Sequence, residues 1–185
     1  MLKKIVLILS VFIVPLKAHG IELGEDGLYI QPWINETFLD LREDLEEANA
    51  SNKRFLIMFE QRGCVYCKRM HKKIYSIPEI ASTLQNSFFV VRINIFGDLE
   101  VTDFDGETIS EKEIVKKWGV IFTPTVMFLP EKVDAGKTAS ESAVVTMPGA
   151  FEKGTTKLLL EWVLVKGYNG DEHLQKFIAR KLGFE

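Results

Sequence analysis

The chain has only two cysteines among its 185 residues, Cys64 and Cys67, and two residues separate them. A small secreted fold held together by disulfides needs more cysteines that close longer loops, because a disulfide stabilises a protein largely by restricting its unfolded chain. A ring as small as this one restricts very little. We therefore interpret the pair as chemically reactive, and a purely structural disulfide is the alternative.

Excess positive charge is also missing. The sequence contains 23 Lys and Arg residues against 26 Asp and Glu residues, which gives a net charge of −3. A protein that binds mainly to a phosphate backbone usually carries a clear excess of basic residues. The composition therefore argues against nucleic acid as a partner. With 46% hydrophobic residues the chain can form one sizeable core, and a single domain is expected.

No apolar run reaches the roughly 20 residues of a membrane-spanning helix. The longest run covers residues 5–16 and follows a pair of lysines, which is typical of a signal peptide. We predict that residues 1–20 are a signal peptide cleaved near residues 18–20, and that residues 21–185 are periplasmic or otherwise exported. An uncleaved N-terminal anchor is the alternative, and it also places the remaining chain outside the cytoplasm.

Apolar runs recur along the chain and predict the strands of a buried sheet. They lie at residues 55–59, 88–96, 126–129 and 143–147. Between these runs, apolar residues recur at the spacing of helices. The same spacing occurs before the first run, where Asn35 or Thr37 is expected to start a helix that buries Phe38. This order predicts an α/β fold in which a mixed central sheet has helices on both faces.

Two additions to this core are predicted. Asp105-Gly106 lies between alternating residues at positions 101–109, which indicates a small hairpin insertion with a two-residue turn. A last helical pattern predicts a C-terminal helical extension over residues 166–185. The exported domain then comprises residues 21–185, with its core at about residues 35–165.

The two cysteines follow the first predicted strand closely, so Cys64 lies where a helix begins. Free N–H groups and the positive end of the helix dipole stabilise a thiolate there, and the thiolate is the form that attacks a disulfide. Four nearby residues add positive character: Arg62, Lys68, Arg69 and His71. Cys67 lies one helical turn later and is expected to be more buried. These positions predict a redox-active disulfide in which Cys64 attacks and Cys67 resolves, with no further cofactor.

Glu60 is the carboxylate nearest to the cysteines in sequence, four residues before Cys64. It is a candidate proton acceptor for the thiol chemistry, because perturbed carboxylates concentrate at active sites. The alternative is an ordinary surface residue at the end of a strand.

A metal site is the second hypothesis for this region. Cys64, Cys67 and His71 are spaced so that one helix face can present all three to zinc or copper, which would make the chain a metal-binding or metal-delivery module. No further cluster of Cys or His residues completes the set. His71 is therefore expected to be a solvated helix residue, and no metal ligand is assigned.

The motif Cys64-Val65-Tyr66-Cys67 after a buried strand, with Thr123-Pro124-Thr125 before another strand, resembles the thioredoxin superfamily over about residues 35–165. The resemblance implies the thioredoxin fold and protein disulfide oxidoreductase activity. It also implies that Pro124 is a cis-proline beside the active-site disulfide, and that Thr123 offers backbone hydrogen bonds to a substrate strand.

Other positions refine this resemblance. Gly149 matches the family's glycine beside the substrate groove. Met58 stands where cytoplasmic thioredoxin has a buried aspartate. Tyr66, directly before the second cysteine, is instead similar to periplasmic disulfide isomerases and reductases. We assign substrate binding to Thr123, Pro124, Gly149 and Tyr66.

The chain is most similar in pattern to the periplasmic thioredoxin-like proteins that accompany bacterial sulfur-oxidation systems. This finer resemblance implies that the chain keeps the thiol of a partner reduced. The predicted function is therefore that of an exported reductant or isomerase that acts on protein thiols and disulfides and receives electrons from a membrane thiol donor. No dimerisation segment is recognised in the sequence, and a monomer is expected.

Overall fold

The computed structural model describes residues 22–184. Its helices and strands follow the chain in the order α1 (Leu41–Ala50), β1 (Arg54–Glu60), α2 (Val65–Arg69), α3 (Pro78–Ser87), β2 (Phe88–Asn94), β3 (Glu100–Thr102), β4 (Thr108–Ser110), α4 (Glu111–Lys117), β5 (Thr125–Phe128), α5 (Ala139–Ser142), β6 (Val145–Pro148), α6 (Lys153–Leu164) and α7 (Leu174–Lys181). A π-helical turn (Met70–Ile74) continues α2, and a 3-10 turn (Gly167–Asn169) precedes α7. The predicted signal peptide, residues 1–20, lies outside the described residues. Within the described range, no helix combines the length and the apolar character that a membrane span requires.

Four strands form a mixed sheet in the order β2-β1-β5-β6. Strand β1 is parallel to β2 and antiparallel to β5, and β5 is antiparallel to β6. Phe59 near the end of β1 pairs with Thr125 at the start of β5. The loop after β1 and the loop before β5 therefore meet at one edge of the sheet. This edge carries Cys64 and Pro124.

The side chains of β1 alternate between two cores. Phe55, Ile57 and Phe59 face the core that α1 and α4 cover, whereas Leu56 and Met58 face the core that α3, α6 and α7 cover. Burial on both faces explains why this strand is a continuous apolar run in the sequence. The predicted mixed sheet with helices on both faces is confirmed.

The first helix begins later than predicted. Asp40 caps α1, and its carboxylate accepts hydrogen bonds from two backbone N–H groups of the first turn. Leu39 before it has a left-handed φ of 57°, which a right-handed helix cannot contain. Phe38 is consequently 96% exposed instead of buried. The prediction that Asn35 or Thr37 starts this helix is wrong.

The predicted hairpin insertion is present as β3 and β4, but its loop is longer than two residues. Thr102 pairs with Thr108, so residues 103–107 form the turn. Asp103 in this loop is buried and accepts a 2.8 Å hydrogen bond from Trp118 Nε1. A two-residue turn leaves no room for an inward carboxylate. The longer loop therefore ties the hairpin to the main body of the domain.

The last part of the chain contains α7, and the helical structure predicted for this region is observed. Leu174 and Phe177 of α7 are buried in the same core as the inward face of α6. The segment therefore extends one of the two cores instead of projecting from the domain.

Candidate active site

Cys64 and Cys67 form a disulfide at the start of α2, with 5.2 Å between their Cα atoms. Cys64 is the N-cap of the helix, and Gly63 before it has a φ of 75°, a conformation that favours glycine. The N–H of Cys67 donates a 3.0 Å hydrogen bond to Cys64 Sγ. After reduction, the same N–H can stabilise a thiolate on Cys64.

The two cysteines differ in burial. Cys64 is 8% exposed and Cys67 is 1% exposed. A thiolate must reach a partner sulfur directly, so the more accessible cysteine meets the partner first. The assignment of Cys64 as nucleophile and Cys67 as resolving thiol stays a prediction, and this burial favours it.

The loop before β5 lies against Cys64. The Thr123–Pro124 peptide bond is cis, and Thr123 Oγ1 donates a hydrogen bond to Cys64 Sγ at 3.4 Å. The N–H of Gly149 donates a 2.7 Å hydrogen bond to the carbonyl oxygen of Pro124. The fold thus brings together, around one sulfur, residues that are far apart in the sequence.

An open groove of about 360 Å³ lies at this edge of the sheet. Its lining residues are Tyr66, Arg69, Phe122, Thr123, Pro148, Gly149 and Ala150. Three of the four predicted substrate-binding residues line the groove, and the fourth, Pro124, adjoins them in the chain. Sequence reasoning misses Phe122. The sequence feature that indicates Phe122 as a groove residue is the apolar pair Ile121-Phe122. This pair lies outside every predicted strand and is exposed in the structure.

Glu60 is not a surface residue. Its side chain is 1% exposed, and Glu60 Oε1 lies 2.7 Å from His71 Nε2. His71 is fully buried, so the expectation of a solvated histidine is wrong. Tyr29 and Trp33, from the segment before α1, stack on the His71 ring with centroid distances of 4.9 Å and 6.2 Å. This segment removes the ring from solvent.

With the Gln31 amide oriented as it is in the structure, the hydrogen bonds of His71 match one tautomer. The NH₂ group of Gln31 can only donate, and it lies 3.1 Å from His71 Nδ1. Nδ1 therefore accepts, and Nε2 carries the hydrogen that is donated to Glu60 Oε1. The other oxygen, Glu60 Oε2, is buried and has no hydrogen-bond partner within residues 22–184.

Tyr75 also packs edge-on against the His71 ring, with 5.3 Å between centroids. Burial raises the pKa of the Tyr75 phenol far above its usual value, and the negative charge of Glu60 raises it further. Tyr75 therefore stays a neutral phenol at physiological pH. Among the described residues, Glu60 Oε2 is the carboxylate oxygen of this buried cluster that no hydrogen bond engages.

The cluster lies on the inward side of the active-site helix. Cys67 and His71 are four residues apart, and both are buried in the stretch formed by α2 and the π-helical turn. Turns of the π type occur often at functional sites. Glu60 is thereby held on the same side of this helix as the more buried cysteine.

The three residues of the metal hypothesis do not form a ligand set. Cys64 and Cys67 are joined to each other, and both ring nitrogens of His71 are engaged by Gln31 and Glu60. In the part of the chain that the structure describes, no group of three or more His, Cys, Asp or Glu side chains is arranged to hold a metal ion.

Known proteins share this architecture. Residues 41–139, more than half of the chain, match the family model of a thioredoxin-like domain. A thioredoxin-fold protein from Helicobacter pylori is similar with a TM-score of 0.58 and 19% identity, over 72% of this chain and 87% of that one. A thioredoxin from Thermus thermophilus is similar with a TM-score of 0.53 and 23% identity, over 69% of this chain and 86% of that one. No curated protein sequence matches the chain significantly.

The two structural similarities establish the thioredoxin fold, and the family match covers β1, the cysteine pair and the Thr123–Pro124 loop. The chain therefore belongs to the thioredoxin-like domain family, and its Cys64–Cys67 pair makes it a thiol:disulfide oxidoreductase.

Proposed function

We propose that this oxidoreductase is exported and acts on protein partners as a reductant or isomerase. One observation carries the proposal: the more accessible sulfur, Cys64, is contacted by Thr123, which lines an open and largely apolar groove, while Cys67 is buried behind it. The groove is open, and its lining adds contact area beyond the reacting sulfur that an extended segment of a partner protein can use and a small thiol cannot.

The exchange has two steps. In the reduced protein, the Cys64 thiolate attacks one sulfur of the partner disulfide, a mixed disulfide forms, and the other partner sulfur leaves as a thiolate. Cys67, once deprotonated, then attacks Cys64 Sγ and expels the second partner sulfur. Two electrons pass to the partner, whose two sulfurs take up protons, and the protein returns to the Cys64–Cys67 disulfide.

The groove residues orient the partner in this scheme. We assign Thr123 the role of pairing its backbone with an extended partner segment, as an added strand would pair. Pro124 and Gly149 shape the wall next to Cys64, and Tyr66 contacts partner side chains from the helix. The reaction needs no cofactor beyond the cysteine pair itself.

Glu60 is the proposed proton acceptor for the resolving step. Cys67 is buried, so its proton must leave through the protein or a single water molecule before the second attack. Glu60 Oε2 is buried on the inward side of the same helix without a hydrogen-bond partner among the described residues. His71 holds the other oxygen of Glu60 and so orients the carboxylate.

Replacing Glu60 with Gln is expected to slow the resolving step about 10- to 100-fold at pH 7, because general-base catalysis typically contributes at least that much. The rate to measure is the decay of a mixed disulfide between Cys64 and a peptide, followed by stopped flow from pH 5.5 to 9. Glu79→Gln, which alters an exposed carboxylate at the start of α3, is the control. An unchanged pH profile in Glu60→Gln would remove Glu60 from the proton path.

The cellular setting is part of the proposal. Export rests on the signal-like residues 1–20, and the donor is expected to be a membrane thiol protein that delivers electrons to the oxidised pair. The finer similarity to periplasmic proteins of sulfur-oxidation systems supports a reductant that keeps a partner thiol reduced. We expect the protein to act as a monomer.

The direction of electron flow can be tested in cells. A maleimide that cannot cross the inner membrane is added after the outer membrane is permeabilised, and labelling of Cys64 and Cys67 is read by mass spectrometry. We expect Cys64 to be labelled in the native protein, and Cys67, which is 1% exposed, to be labelled once the protein is denatured, because an electron donor keeps an exported reductant reduced. A variant that lacks residues 1–20 should stay unlabelled. A stable disulfide in the untreated cell would instead indicate an oxidant.

A further inference from the structure

The active-site helix carries one sign of charge. Between Glu60 and Glu79 the sequence contains no acidic residue, although the chain as a whole has a net charge of −3. Five basic residues lie in this interval, and all are exposed: Arg62, Lys68, Arg69, Lys72 and Lys73. We call them the cationic face.

Most of this charge has no acidic partner among the described residues. Arg69 pairs with Glu152, but the other four residues of the cationic face form no ion pair within residues 22–184. In contrast, two lysines close to α6 form ion pairs. Lys157 Nζ lies 2.6 Å from Glu79 Oε1, and Lys181 Nζ lies 2.6 Å from Glu161 Oε1. The cationic face therefore presents a positive field to any molecule that approaches Cys64.

The opposite side of the sheet is acidic. Helix α1 and the residues before it line a second groove with carboxylates: Glu36, Asp40, Glu43 and Glu47. The molecule is thus polarised, with negative charge on α1 and positive charge beside the cysteines. Such a charge distribution turns an acidic partner toward the active site before contact.

The distances are short enough for this field to act on a docked partner. With a rise of about 1.5 Å per residue, Lys68 lies about 6 Å from Cys64 along the helix and Lys72 about 12 Å. The Debye length is about 8 Å at physiological ionic strength. A segment bound at Cys64 therefore lies within reach of Arg62 and Lys68, and a larger surface also covers Lys72.

We propose that the cationic face is the docking surface for an acidic partner protein, whose reactive disulfide is flanked by Asp and Glu residues. The inference rests on the proposed function, because it specifies the partner of the same exchange site. An anionic membrane surface is the competing occupant. We favour a protein because a bilayer on this helix would cover Cys64 and block the exchange.

Three peptide disulfides test the proposal, identical except that Asp, Ser or Lys residues flank the reactive cysteine. The second-order rate constant for reduction by the reduced protein is measured with each. We expect the acidic peptide to react about 10-fold faster than the basic one at low ionic strength, and the ratio to approach one in about 0.5 M salt. The ratio is used because changes in the intrinsic reactivity of Cys64 cancel in it.

The double variant Lys68→Glu with Lys72→Glu is expected to lower this ratio about 10-fold or more. The matched control is Lys53→Glu with Lys132→Glu. These two lysines form no ion pair among the described residues, and they lie before β1 and after β5, at the edge of the sheet opposite Cys64. The control variant should keep the ratio of the unmodified protein.

Each other outcome decides against the proposal. A ratio near one at low ionic strength, or a ratio that the double variant leaves unchanged, overturns it. If the ratio is near one and the unmodified protein, but not the double variant, sediments with phosphatidylglycerol vesicles, the cationic face serves a lipid surface instead. Failure to reduce even the Ser-flanked peptide contradicts the proposed function itself.

Discussion

Replacing Cys64 with Ser is expected to lower the rate constant for reduction of a protein disulfide by at least about 10³-fold, because the variant lacks the sulfur that forms the mixed disulfide. Serine is nearly isosteric, and its oxygen can still accept the hydrogen bond that the Cys67 N–H gives to Cys64 Sγ. Cys67 alone cannot replace the nucleophile, because it is 1% exposed. The rate is measured in single turnover with a peptide disulfide.

Thermal unfolding of Cys64→Ser and of the reduced unmodified protein provides the control for this comparison. The two should unfold at similar temperatures, since neither contains the disulfide. Substantial turnover by a folded Cys64→Ser variant would show that Cys67 attacks first, which is the reverse of the assignment.

Replacing Asp44 with Asn is expected to raise the free energy of unfolding by about 2 kcal/mol at pH 8. This is roughly half of the free energy that corresponds to the full pKa difference, because solvent at the helix surface screens the charge. Burial is the largest cause of the raised pKa of Asp44, which lies at about 7 instead of 3.8. The hydrogen bond from Thr37 lowers this pKa, and the charges of Asp40, Glu47 and Glu43 raise it. Asn keeps an oxygen that can accept the 3.1 Å hydrogen bond from Thr37 Oγ1. The measurement is urea unfolding from pH 4 to 8.

The sign of this effect follows from proton binding. Between pH 3.8 and about 7 the folded state keeps a proton on Asp44 that the unfolded state loses, so the stability of the unmodified protein falls as the pH rises through this window. Near pH 4 the Asn variant should have almost the same stability as the unmodified protein. The control is Glu46→Gln, an exposed position on the same helix. A stability difference that does not change with pH would contradict this account.

The two central strands, β1 and β5, could be predicted from the sequence because they are buried on both faces. The apolar run at residues 55–59 falls within β1, and the run at residues 126–129 overlaps β5. Such runs depend on local composition alone, so a single sequence reveals them. The start of α1 could not be predicted, because the left-handed conformation of Leu39 is not encoded in the periodicity. The inward turn of Asp103 depends on Trp118, which lies 15 residues later.

The candidate site could be predicted only where short motifs mark it. Cys64 and Cys67 follow a recognisable strand, and the loop at Thr123 and Pro124 precedes another. The burial of His71 was not predictable, because the residue lies among lysines and arginines that belong to a solvated helix surface. Its ring is covered by Tyr29 and Trp33, about 40 residues earlier in the chain. Contacts over that separation leave no periodic pattern in the sequence.

Trapping of a mixed disulfide shows directly whether Cys64 attacks and Cys67 resolves. The reduced Cys67→Ser variant is mixed with a peptide disulfide, and the adduct is located by mass spectrometry after digestion. We expect a long-lived mixed disulfide on Cys64, because no second thiol is present to release the peptide. The same mixture with Cys64→Ser should give little or no adduct. A stable adduct on Cys67 in Cys64→Ser, with none on Cys64 in Cys67→Ser, would show that the two cysteines have the opposite roles.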